Sequence, residues 1–176
     1  MNRWQARAHR RSWVDPMELH SRNPAETRAL AGALAREIGS RGLVIALVGP
    51  LGAGKTVFAQ GLAEGLDLDQ GLLSSPSFVI ANELKTAAGV RLVHADLYRD
   101  ESEGELESAG WLDWLADGSV VAVEWGDRFP QALPRDHLEV RLSGVDAGRP
   151  ERRTLEVRAG GPVSHAALER WRRQRP

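Results

Sequence analysis

Cysteine is absent from the 176 residues. Structural disulfides, cysteine-ligated zinc, iron–sulfur clusters and a cysteine nucleophile are thereby excluded. Lysine is almost absent too. Of 23 basic residues only Lys55 and Lys85 are lysines, which leaves 21 arginines. A GC-rich genome accounts for such a bias, and the bias makes Lys55 conspicuous. No apolar run approaches the roughly 18 residues that a membrane-spanning helix needs. The Arg10-Arg11 pair is followed by Ser12-Trp13-Val14-Asp15-Pro16 instead of an apolar stretch, which argues against a secretion signal. An excess of one charge sign is also lacking. The formal net charge is -1, so the chain as a whole is no polycation drawn to nucleic acid.

What is present is the composition of a folded chain. Hydrophobic residues make up 42% and charged residues 27%, which excludes collagen-like and wholly disordered classes. The length suits one domain with short extensions, and a chain of this size buries roughly 68–70% of its unfolded surface. Arg3, Arg7, Arg10 and Arg11 precede any acid, and Arg170, Arg172, Arg173 and Arg175 close the chain. Residues 1–15 are expected to form a flexible Arg-rich extension, 16–160 the folded domain and 161–176 a C-terminal helix or tail.

Met17-Glu18-Leu19-His20 is a short strand candidate. A helix follows, with Asn23 as N-cap, Pro24 as its first residue and Glu26 as the capping-box acid. Leu30, Leu34 and Ile38 recur at spacing four, with Ala31 and Ala35 beside them, and the helix is expected to end near Gly39. Leu43-Val44-Ile45-Ala46-Leu47-Val48 is a continuous apolar run of the kind buried on both faces of a sheet. A glycine-rich turn leads from it into a helix over 55–66, with Phe58 and Leu62 on one face. Strands are expected over 78–84 and 90–94, joined as a hairpin through Thr86-Ala87-Ala88-Gly89. Ser102 and Glu105 have capping-box spacing and open a helical stretch to about Leu115, interrupted at Gly110. Val120-Val121-Ala122-Val123 is a second buried strand. Two alternating strands follow, on Leu138, Val140 and Leu142 and on Leu155 and Val157, and then a helix over 164–173. Buried strands alternating with helices imply an α/β sandwich, and the hairpins make its central sheet mixed.

The sharpest feature is Gly49-Pro50-Leu51-Gly52-Ala53-Gly54-Lys55-Thr56, a match to G-x-x-x-x-G-K-[ST]. It sits between a buried strand and a helix, the context the motif requires. Glycines let the loop wrap so that successive N–H groups face an anion at a helix N-terminus. Lys55 supplies a point charge for the β- and γ-phosphates, and the Thr56 hydroxyl is a Mg²⁺ ligand. Gly49, Leu51, Gly52, Ala53, Gly54, Lys55, Thr56 and Val57 are the candidate nucleotide-binding residues.

Hydrolysis also needs acids near the metal and the attacking water. Glu124 follows four apolar residues, and Asp96 follows Leu92-Val93-His94-Ala95. Each stands at a strand end, where α/β sheets face their ligands, and each is a candidate catalytic and metal-binding acid beside Lys55. For other residues two readings stand. Ser77, after Pro76, is either a switch-like hydroxyl for metal or γ-phosphate or a turn cap. His94 reads best as a core histidine. Tyr98 and Arg99 either meet a partner or phosphate or close the hairpin. Trp125 either lines the nucleotide pocket or packs in the core.

The P-loop, Ser75-Pro76-Ser77-Phe78, His94-Ala95-Asp96-Leu97-Tyr98-Arg99 and Glu124-Trp125 stand in an order that resembles the TsaE (YjeE) family of bacterial P-loop ATPases. The resemblance covers roughly residues 17–160 and implies a P-loop NTPase-like three-layer sandwich with a mixed central sheet. It implies a cytoplasmic ATPase that uses ATP and Mg²⁺ and is required for tRNA threonylcarbamoyladenosine modification. The implied partners are TsaD, the transferase subunit, and TsaB, its companion, with tRNA reached only through their complex and no membrane involved. It assigns ATP binding to the loop and Lys55, Mg²⁺ to Thr56, and service of metal and hydrolysis to Asp96 and Glu124. Ser77 stands where the family usually has threonine, and Pro50 where an acid is common. A small P-loop kinase, recruiting Arg91, Arg99 or Arg128, and a nucleotide-dependent adaptor without useful hydrolysis are the rival readings. A GTPase is disfavoured, since no Asn-Lys-x-Asp stretch occurs.

Overall fold

The computed structural model describes residues 13, 15–69, 73, 81–86, 89–97, 106, 110–116, 118–144, 148 and 150–174. The elements run β1 (Met17–Ser21), α1 (Pro24–Arg36), β2 (Leu43–Val48), α2 (Lys55–Gly65), β3 (Ala81–Lys85), β4 (Arg91–Asp96), α3 (Trp111–Trp114), β5 (Ser119–Glu124), a 3₁₀ turn (Gly126–Arg128), β6 (Leu138–Ser143), β7 (Arg153–Ala159) and α4 (Pro162–Arg173). The strands form one sheet in the order β1-β7-β6-β2-β5-β4-β3. β2 pairs in parallel with both β5 and β6, and β5 in parallel with β4. The hairpins β3–β4 and β6–β7 are antiparallel, and β1 closes the far edge antiparallel to β7. The sheet is therefore mixed, as its two hairpins require.

The period of two in the strands divides the core between the two faces of the sheet. Leu43, Ile45 and Leu47 share one face with Leu92, Val120, Ala122, Val140 and Val157, and there α1, α2 and α4 add Leu34, Phe58, Leu62, Leu168 and Trp171. Ala46, Val93, Ala95, Val121 and Val123 face the other way, under Leu106, Trp111, Trp114, Ala132 and Leu133. Helices on one side, and α3 with the segment after β5 on the other, make three layers.

α1 begins as its residues dictate. The Asn23 side chain accepts from the Glu26 N–H (2.9 Å), with Pro24 next in line. The Glu26 carboxylate reaches one residue further back than a capping box does, to the Arg22 N–H (2.8 Å) and its guanidinium. The helix ends at Arg36, earlier than Gly39, and its innermost residues include Ala31, Leu34 and Ala35, with Leu30 and Ile38 only partly buried. Small residues turn inward because α1 lies close against α2. A Cβ on Gly61 of α2 would stand 2.4 Å from Arg28 O and 2.8 Å from Ala31 Cβ, so only glycine fits that crossing. Gly110 (φ +94°) opens α3, where an interruption was expected. The expected strand start at Phe78, the Ser102/Glu105 pair and the basic residues before Ser12 lie outside the described residues.

Gly61→Ala is expected to destabilise the fold by about 1–3 kcal/mol, the usual cost of overpacking. Leu112→Ser, at an exposed leucine, should stay within about 0.5 kcal/mol. Urea denaturation of the two variants checks this.

Candidate functional site

The parallel strands β2, β5 and β4 end side by side. Register pairs Leu47 with Glu124 and Glu124 with Asp96, which sets both candidate acids at the sheet's carboxyl edge next to the loop. Chain leaving β2 must turn at once. Gly49 (φ +149°) passes so close to β6 that a Cβ would lie 2.4 Å from Leu142 O. The Ala53 N–H closes the turn on Pro50 O (3.1 Å), and the Phe58 N–H on Gly54 O (2.9 Å) starts α2. Its N-cap, Gly54, has no side chain to cap the helix, and its first turn holds no acid. Its first N–H groups and positive dipole end are left for an anion.

Lys55 is buried, 4% exposed. Its ammonium donates to Gly49 O (2.8 Å) and Pro50 O (2.9 Å) and sits 3.8 Å from the centre of the Trp125 ring. Burial holds its pKa below the ordinary lysine value, while the nearby charges of Glu124, Asp96 and Asp127 act in the opposite sense. Trp125 adopts left-handed backbone (φ +59°), a strained choice for a bulky residue. Its N–H donates to Leu47 O (2.9 Å), which pins the turn to the end of β2 and sets the indole under the lysine.

Glu124 is 4% exposed and sits between two partners. Its Oε1 accepts from the Thr56 hydroxyl (2.7 Å) and lies 2.9 Å from His94 Nε2. Asp96 lies beside it on β4 and is half-buried. The loop, Lys55, Thr56, Asp96, Glu124 and Trp125 are thus brought together. Val57 is half-buried in the first turn of α2, and Leu51 is 78% exposed at the tip of the loop. His94 is fully buried, as a core histidine should be, but its ring is spent on the candidate acid and not on packing alone. Arg91, one candidate for a kinase-like cation, is held at the opposite end of β4 by Glu83 (3.0 Å). Ser77, Tyr98 and Arg99 lie outside the described residues.

One contact went unread in the sequence. Arg153 donates from Nε to Ala53 O (2.9 Å) and from Nη2 to Gly52 O (3.0 Å), both within the loop. The available signal was its phase: Arg153 falls on the same face of β7 as buried Leu155, Val157 and Ala159.

A family model described as "Threonylcarbamoyl adenosine biosynthesis protein TsaE" matches residues 21–154. The chain belongs to the TsaE family. Curated TsaE relatives include that of Mycobacterium tuberculosis, 38% identical over 128 residues that cover 68% of this chain and 74% of the relative. The Bacillus subtilis TsaE is 37% identical over 118 residues, covering 67% and 72% respectively. The Streptomyces coelicolor protein is 40% identical over 116 residues, covering 61% and 77%. The crystal structure of Bacillus subtilis YdiB superposes with a TM-score of 0.67 at 29% identity, over 91% of this chain and 96% of YdiB. TsaE proteins serve tRNA threonylcarbamoyladenosine biosynthesis, and membership with a P-loop implies nucleotide binding. Among the described residues no helix is long and apolar enough to cross a membrane.

The Glu124 cluster gives a stability test. Glu124→Gln keeps an acceptor for both neighbours, whereas Glu124→Ala leaves a buried imidazole and a hydroxyl without theirs. The alanine variant should lose about 1–3 kcal/mol more than the glutamine variant in urea unfolding at neutral pH.

Proposed function

We propose that this TsaE-family chain is a cytoplasmic Mg²⁺-dependent ATPase that acts on the TsaD–TsaB transferase complex during tRNA threonylcarbamoyladenosine modification. tRNA is engaged through the complex and not by this chain directly. The observation that carries the reading is the uncapped α2 N-terminus with Lys55 at its mouth and the Thr56–Glu124 pair at its side.

The donors suit Mg²⁺. Thr56 Oγ1, Glu124 and Asp96 offer hard oxygen atoms at one edge of the sheet. Among the described residues no group of three or more His, Cys, Asp or Glu forms a ready cage. That agrees with a cation bound through one or two protein oxygens together with substrate phosphates. When bound, the ion neutralises charge on the phosphate oxygens.

The chain's own residues supply the rest. The loop and the first N–H groups of α2 bind the polyphosphate. Lys55 leaves the Gly49 and Pro50 carbonyls for the phosphates, and the exchange is favourable because an anion replaces neutral acceptors for a buried cation. Trp125 keeps the ammonium directed at the loop through its ring face. His94 and Thr56 fix Glu124, so that its carboxylate meets the attacking water in one orientation. Asp96 adds negative charge at the same edge, for metal or water. Arg153, the arginine seen at the loop, is committed to its carbonyls and not to phosphate, so hydrolysis by the chain alone is slow and rises with TsaD–TsaB present.

MgATP at 100 times its dissociation constant should stabilise the fold by about 2.7 kcal/mol, and Lys55→Ala should lose most of that gain. A melting temperature unmoved by saturating MgATP sinks the nucleotide reading. Glu124→Gln and Asp96→Asn should retain binding while partner-stimulated hydrolysis drops on the order of 10²- to 10⁴-fold. Transfer of labelled phosphate to a small acceptor, without release of free phosphate, would replace the ATPase reading with a kinase.

A further inference from the structure

Arg153 stands half-buried on the inward-facing phase of β7, where part of its guanidinium is withdrawn from water and needs acceptors. Arg153 finds four. Besides Gly52 O and Ala53 O, its Nη1 donates to Pro150 O (2.6 Å) and Arg152 O (2.7 Å) in the connection from β6. The two ends of that connection meet. Gly144 (φ +97°) begins it, and a Cβ there would lie 3.5 Å from Arg152 O and 3.7 Å from Arg153 Cα. The guanidinium thus ties the β6–β7 hairpin to a loop about 100 residues earlier in the chain.

We propose that Arg153 is a positioning residue for nucleotide binding: its guanidinium holds the second half of the phosphate loop in the shape that receives phosphate. This rests on the reading of the loop as a nucleotide site. Two cations divide the loop's carbonyls. Lys55 holds Gly49 and Pro50, and Arg153 holds Gly52 and Ala53. Lys55 is the cation that phosphates recruit, so its hold on the loop ends as they bind. Arg153 has no such competing duty and keeps its grip. The peptide plane transmits the effect. A carbonyl held on one side fixes the following N–H on the other, so Gly52 O sets the Ala53 amide, which closes the turn on Pro50 O (3.1 Å), and Ala53 O sets the Gly54 amide. The four acceptors of Arg153 lie on two separate segments and engage Nε, Nη1 and Nη2; an ammonium has only three donors, all on one atom, and cannot hold both segments.

The test compares wild type, Arg153→Gln and Arg153→Lys in the full chain. The readouts are the MgATP dissociation constant by calorimetry, the nucleotide-free melting temperature, and the amide resonances of Ala53 and Gly54. Both variants should bind MgATP about tenfold or more weakly, the loss expected from charged hydrogen bonds. The Ala53 and Gly54 signals should shift without nucleotide, and lysine should not rescue affinity. Variant affinities within twofold of wild type, or full rescue by lysine, overturn the proposal while leaving the nucleotide site intact. Wild type that binds no MgATP removes the underlying reading and the proposal with it. Should the glutamine variant fail to fold, the lysine variant, which keeps stem and charge, decides by the same criteria.

Discussion

A strand buried in the middle of a sheet has to become a helix within a few residues, with the helix's first N–H groups left empty. That turn, from Val48 to Lys55, is the constraint on which the site depends. Uncapped N–H groups are a liability in an ordinary fold, and here the N-cap is a glycine with no side chain to relieve it. The carbonyls of the turn that leads into the helix are held by cations. Lys55 takes the first two carbonyls and Arg153 the later pair. Hydrogen bonds to charged groups contribute about 1.5–3 kcal/mol each, enough to keep an anion-binding loop formed before any anion arrives.

The rest of the fold brings the needed chemistry to that turn. Parallel pairing of β2, β5 and β4 sets Glu124 and Asp96 level with the loop. The left-handed Trp125 bends the chain directly after Glu124, so the indole lies against Lys55 and not over the next strand. On the other side, α1 presses small residues onto Gly61 and fixes the axis of α2, and with it the direction of the helix dipole. Binding, positioning of the acids and helix packing are therefore coupled through a single short helix.

Much of this was legible in the sequence because local chemistry dictates it. The P-loop, the apolar runs of β2 and β5, and the acid closing each of β4 and β5 follow from residue type and period alone. Asn23 and Pro24 likewise announce the start of α1. The environment of His94 was not legible. A histidine in a buried strand is consistent with simple packing, and its bond to Glu124 depends on the β4–β5 register, which no local pattern encodes. Arg153 was passed over for a related reason. It is one of 21 arginines, and its partners lie a hundred residues away. Only its place in the inward phase of β7 distinguished it from the solvated arginines around it. Of the α1 stripe, Ala31, Leu34 and Ala35 are buried as expected, while Leu30 and Ile38 at its margin are only partly covered, because close approach of α2 favours the smaller side chains.

The most direct measurement is a crystal structure of the full chain with Mg²⁺ and a non-hydrolysable ATP analogue. The nucleotide-site account requires the β- and γ-phosphates at the N-terminus of α2, with Lys55 Nζ moved from the Gly49 and Pro50 carbonyls onto phosphate oxygen. Thr56 and at least one of Glu124 and Asp96 should lie at the metal or at a water bound to it. Nucleotide bound elsewhere, or phosphates in the loop with Lys55 still on its two carbonyls, would contradict it.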